Sequence, residues 1–142
     1  MKINTGGAFD PFTRTGGWGF AIRDHSGKVV KAGAGKVQFL MNAFHAKVLA
    51  CAAGIRAASE CGMQRVTAET DSMMLKSALE KNTFASSALG GIICEIKNFA
   101  NSVFLSFNLW VVKGKSRTSL GWDEAPSEVD DLVTSDITGS ME

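Results

Sequence analysis

The sequence predicts an α/β fold, a mixed five-stranded sheet flanked by helices in the order βββαβααβ. Three observations carry that prediction. Residues 1–37 hold three β-patterned runs separated by short turn signals. A long helical pattern follows, from about residue 42 to 61. Strand-like and helical stretches then alternate as far as residue 112, an alternation that belongs to sheets covered by helices.

Residues 2–9 form the first strand and stop at Asp10-Pro11, a turn signal that Thr13 to Gly17 continues. Residues 18–24 form the second, with Trp18, Phe20 and Ile22 on one face by period two. His25-Ser26-Gly27 is a tight connection, and residues 28–37 give the third strand. Three sequential strands with short turns argue for an antiparallel meander. In the long helix Asn42 is the expected N-cap. Phe44, Val48, Cys51 (or Ala52) and Ile55 follow the 3.6-residue period, and Gly62 is the stop. Residues 65–71 form a fourth strand. A short helix over 72–81 turns Met74, Leu75, Ala78 and Leu79 inward. After a Ser- and Ala-rich loop, a helix over 88–101 has Leu89, Ile92, Ile93, Ile96 and Phe99 as its stripe, and residues 103–112 form a fifth strand.

Composition narrows the function classes. A chain of 142 residues fits one domain, and 45% hydrophobic with 20% charged residues are globular values. No apolar run approaches the ~20 residues of a membrane span, so no membrane partner is expected. The N-terminus lacks a signal-peptide core, and the expectation is an intracellular protein. Cys51, Cys61 and Cys94 are an odd set without Cys-x-x-Cys spacing, which agrees with that expectation. Cys51 and Cys94 fall on apolar helix faces and are expected to be buried, reduced core thiols. His25 reads as a turn residue and His45 as a helix-surface residue. The Gly16-Gly17-Trp18-Gly19 cluster is a weak phosphate loop, because no Lys-Ser/Thr follows.

The net charge of +1 hides an asymmetry. All 15 Lys and Arg lie in residues 1–117 with 7 acids, giving +8 there. Residues 118–142 carry 7 acids and no Lys or Arg. A basic body suits a polyanionic partner. The expected division is a folded domain over 1–113 and an acidic, partly flexible extension over 114–142.

Asp71 is the residue that carries chemistry. It ends the strand-like run Val66-Thr67-Ala68-Glu69-Thr70-Asp71, just before a helix. A carboxylate at that place in an α/β sheet commonly holds a metal or ligand. Asp71 belongs to a larger pattern: Lys2-Ile3-Asn4-Thr5-Gly6-Gly7-Ala8-Phe9, then Gly17-Trp18-Gly19-Phe20-Ala21-Ile22-Arg23-Asp24, then His45-Ala46-Lys47-Val48-Leu49-Ala50, then Ala68-Glu69-Thr70-Asp71-Ser72. In order and spacing this resembles the ribonuclease H fold, and most of all the plant domains of that type derived from reverse transcriptases.

The resemblance implies a site of four carboxylate positions that hold two Mg²⁺ ions and hydrolyse the RNA strand of an RNA–DNA hybrid. Its first-strand Asp corresponds to Gly6 and its helix Glu to Lys47. Asp71 is the sole match, and no counterpart of the family's final helix follows the fifth strand. The chain is therefore expected to be a catalytically inactive pseudoenzyme that holds no metal, with no cofactor unless Mg²⁺ in an active form. The resemblance also implies a nucleic-acid surface that includes Gly7, Asn42, Lys47 and Ser72. A Lys47–Asp71 ion pair is expected where the metal would be. Two other readings stand beside this one. One is an active Mg-dependent hybrid ribonuclease. The other is a protein-interaction module, self-associating or binding a partner through sheet left uncovered by the final helix.

Overall fold

The computed structural model describes residues 1–81 and 88–112. Its elements are β1 (Lys2–Asp10), β2 (Thr15–Arg23), β3 (Val29–Val37), α1 (Ala43–Glu60), β4 (Arg65–Thr70), α2 (Met73–Glu80), α3 (Gly90–Val103) and β5 (Ser106–Val111). The element order is the predicted one. The sheet runs β3-β2-β1-β4-β5. β1, β2 and β3 form the antiparallel meander, whereas β1–β4 and β4–β5 are parallel. The acidic extension and the Ser- and Ala-rich loop lie outside the described residues, as does the question of a final helix.

Period two decides which sheet face is covered. Ile3 and Thr5 on β1, Phe20 and Ile22 on β2, and Val66, Ala68 and Thr70 on β4 are buried. Against them lie Phe44, Val48, Cys51 and Ile55 of α1, with Leu75 and Ala78 of α2 and Ile93, Ile96 and Ala100 of α3. Arg56 of α1 lies over the Phe99 ring of α3, 5.5 Å from its centroid, which adds a cation–π contact to the helix pair. α1 begins where Asn42 Oδ1 accepts the His45 amide (2.9 Å) and ends before Gly62, whose φ of +79° favours glycine.

Several boundaries and burial expectations differ from the sequence reading. β2 begins at Thr15, so Gly16 and Gly17 lie within the strand and not in the turn. Close approach explains their presence: a Cβ on Gly16 would lie 2.0 Å from the Ala8 carbonyl oxygen. α3 continues to Val103, so β5 starts three residues later than expected. Met74 is exposed, leaving Leu75 and Ala78 as the buried face of α2. Cys94 is exposed as well. Cys51 is the buried thiol, and burial pushes its pKa up to about 12.

Candidate functional site

The site lies where β1 and β4 separate. The two strands pair from Lys2↔Thr67 to Asn4↔Glu69 and no further. Continuing that register by two residues sets Gly6 level with Asp71. The crevice beyond the carboxyl ends of parallel strands, where chain direction switches, is the general place for a ligand in open α/β sheets. Here β1 has the antiparallel β2 on one side and the parallel β4 on the other.

α1 closes the site from the covered face. A Cβ on Gly7 would lie 2.8 Å from both the carbonyl carbon and the Cβ of Ala46, so only glycine lets α1 come this near to β1. That approach places Lys47, the next residue of α1, over the β4 end. Its Nζ lies 3.3 Å from Asp71 Oδ1, with the side chains 24% and 13% exposed. Asp71 Oδ1 itself has almost no contact with solvent. The expected Lys47–Asp71 pair is present.

Glu69, one step deeper on Asp71's side of β4, is engaged by other groups. Asn4 Nδ2 donates to Glu69 Oε1 (2.6 Å), and Lys2 Nζ lies 3.2 Å from Oε2. Arg23 Nε donates to Asn4 Oδ1 (3.3 Å), linking β2 into the same chain of contacts. From the covered face, Thr5 Oγ1 donates to the Glu69 carbonyl (2.9 Å). Lys2, Asn4 and Arg23 were not predicted as site residues. Period two could have found Asn4, because it shares a β1 face with Gly6.

The remaining predicted residues have structural tasks. Ser72 is buried and caps α2, its Oγ accepting the Leu75 amide (3.0 Å). Its own amide donates to Thr70 Oγ1 (3.2 Å). Asn42 is exposed at the start of α1, its Oδ1 spent on the cap. His45 is more than a surface residue. Its Nδ1 accepts the Met41 amide (3.1 Å), and partial burial lowers its pKa. Arg14 at the β1–β2 turn ties that turn to the same loop: its carbonyl accepts the Leu40 amide (2.9 Å), and Nη2 donates to the Met41 carbonyl (3.3 Å). Asp10 and Asp24 serve their own turns, accepting the Phe12 and Ser26 amides (both 2.9 Å). The Ser26 hydroxyl and nearby amides hold the Asp24 carboxyl below the usual range.

The residue set does not suit a divalent ion. A hard cation such as Mg²⁺ needs several oxygen ligands, drawn from carboxylates, waters and substrate phosphates. Among the described residues no three His, Cys, Asp or Glu side chains are grouped to hold one. Gly6 offers no side chain, and Lys47 brings positive charge to Asp71.

Comparison with known proteins agrees with this architecture. The family described as reverse transcriptase-like matches residues 4–113. The chain belongs to that family, and its domain is ribonuclease H-like. No curated protein shows significant sequence similarity to it. Among solved structures, ribonuclease H1 of Halobacterium salinarum is 17% identical, with a TM-score of 0.64 over 81% of this chain and 86% of its own. The N-terminal ribonuclease H domain of a Mycobacterium tuberculosis protein gives 14% and 0.72, over 83% and 92%. LC11-RNase H1, from compost, was solved in complex with an RNA/DNA hybrid. It gives 14% and 0.73 over 99% of both chains. At these identities the likeness establishes the fold.

Proposed function

We propose that this ribonuclease H-like domain binds nucleic acid, an RNA–DNA hybrid by the family's habit, and does not hydrolyse it. The observation that carries the reading is the Lys47 ammonium 3.3 Å from Asp71 Oδ1. Two-metal hydrolysis needs a carboxylate cluster to hold ions that activate water and stabilise the leaving oxygen. A unit charge pair at 4 Å is worth roughly 4 kcal/mol at an effective dielectric of 20, and a dication facing an ammonium meets about twice that as repulsion. Asp71 alone does not offset it.

Binding needs less than catalysis. Ribonuclease H-like surfaces meet a hybrid through its backbone and 2′-hydroxyls, contacts that need cations and hydrogen-bonding groups and no metal. Lys47, Arg14 and the Asn42 side chain lie at one end of the molecule, around the start of α1. Arg14 and Lys47 suit phosphates, and Asn42 a sugar hydroxyl or base edge. Gly7 and Ser72, which the resemblance also places on this surface, support it by close packing and by capping.

The test is a labelled RNA–DNA hybrid titrated with the full chain at low and moderate salt, followed by a cleavage assay with Mg²⁺ or Mn²⁺. Expected are binding that weakens steeply with salt and no cleavage. Metal-dependent cleavage abolished by Asp71→Asn would establish the enzyme instead.

A further inference from the structure

We infer that Lys47 acts in this chain as a fixed, protein-borne substitute for a divalent cation: it keeps metal out of the crevice and meets a nucleic-acid phosphate directly. The inference rests on the nucleic-acid reading above and adds the chemistry of recognition. It follows from charge balance. The two carboxylates on this side of β4 are Asp71 and Glu69, and each has a lysine at ion-pair distance, Lys47 at 3.3 Å and Lys2 at 3.2 Å. Arg23 adds a further positive group through Asn4. The crevice is thus neutral to positive before any ligand arrives. A dication approaching Asp71 Oδ1 must displace an ammonium from an oxygen that solvent hardly reaches.

The lysine is also well placed to do a cation's work. It sits in the second turn of α1, a helix start fixed by the Asn42 cap and by the close approach at Gly7. An ammonium carries three donors, so one can face Asp71 while another reaches a phosphate oxygen. A hybrid-bound divalent ion would then be superfluous. The expected signature is affinity that depends on monovalent salt and is indifferent to magnesium at constant ionic strength.

The experiment has two arms on the full chain. In the first, Mn²⁺ is titrated by electron paramagnetic resonance into the unaltered protein, Asp71→Asn and the double variant Gly6→Asp/Lys47→Glu. The unaltered protein is expected to bind no Mn²⁺ that Asp71→Asn removes, up to concentrations on the order of a millimolar. The double variant gathers three carboxylates and is expected to bind it. In the second arm, hybrid affinity is measured by fluorescence anisotropy in chelator and in Mg²⁺, for the unaltered protein and for Lys47→Met, which keeps most of the apolar stem. Equal affinity in both buffers is expected, with a loss of roughly three- to tenfold in Lys47→Met.

Asp71-dependent Mn²⁺ binding by the unaltered protein would overturn the inference. So would hybrid binding that appears only with Mg²⁺, although the nucleic-acid reading would then survive. Affinity unchanged in Lys47→Met would remove the phosphate role. If the chain binds no hybrid in either buffer, the nucleic-acid reading fails, and the direct-phosphate half of the inference fails with it. The Mn²⁺ arm still judges metal exclusion in that case. Should the double variant not fold, the unaltered protein and Lys47→Met decide the matter.

Discussion

Two approaches meet at the crevice, the β4–α2 junction and the β1–α1 contact, and they constrain their side chains in different ways. At the junction hydrogen bonds do the fixing. Ser72 caps α2, the Ser72 amide uses Thr70 Oγ1, and the Thr70 carbonyl accepts the Val112 amide at 2.8 Å. At the β1–α1 contact space does the fixing, most tightly at Gly7 against the backbone of Ala46, with Gly54 of α1 close against Ile3 further along. Lys47, next to Ala46, is held by its ion pair with Asp71. A ribonuclease H-like fold thus stands with a glycine and a lysine at the two positions where the resemblance implies carboxylates.

The largest expected effect tests the spatial half of this contrast. Gly7→Val puts branched carbon where Ala46 lies 2.8 Å away, and backbone atoms on both sides cannot yield cheaply. A loss of about 3 kcal/mol is expected, read as a fall in the urea midpoint at unchanged slope. Gly6→Ala, one residue earlier and on the opposite face of β1, is expected to shift stability by less than about 1 kcal/mol. Equal losses at both positions would erase the distinction between the two faces of β1.

The next effect tests the electrostatic half. Lys47→Glu sets a second carboxylate against the buried oxygen of Asp71 and is expected to cost about 2–4 kcal/mol. Lys47→Met removes the partner without adding repulsion and is expected to cost about half as much. The gap between the two should narrow as salt rises, because screening acts on the repulsion and not on the packing of the stem. If both variants unfold at the same urea concentration at every salt, the pair contributes nothing.

These contrasts also show what was legible in the sequence. The element order followed from periodicity and turn residues, and the Lys47–Asp71 pair from two positions in a recognisable pattern. Period two could place Asn4 on the Gly6 face, but its meeting with Glu69, Lys2 and Arg23 was not legible, although all are ordinary strand residues in plain view. Their meeting depends on how far β1 and β4 stay in register, and a strand's own alternation says nothing about where its pairing with a neighbour stops. Met74 and Cys94 failed for a related reason. A 3.6-residue stripe gives the direction of a helix face but not its width, and α2 and α3 bury narrower faces than their apolar residues suggest. The burial of Ser72 was hidden because a cap reads the same whether its helix starts in solvent or over a core.

The smallest expected effect probes the loop that leads into α1. His45 lies two residues before Lys47, and its Nδ1 accepts the Met41 amide, a bond only the unprotonated nitrogen can make. Partial burial lowers its pKa below the ordinary 6.5, so the unfolded chain takes up the proton first. Its contribution to stability is therefore complete above about pH 6.5, falls as pH drops below that value, and levels off beneath the folded pKa. Comparing urea midpoints at about pH 7.5 and about pH 5.5 should show a decline that His45→Gln reduces. Holding the Met41 amide also holds the loop that Arg14 grips from the β1–β2 turn, so protonation should loosen that loop before it loosens the sheet. In hydrogen exchange at the lower pH, the amides of residues 40–45 should lose protection while those of β1 and β4 keep theirs. Simultaneous loss across both regions would mean that His45 supports the global fold and not this loop alone.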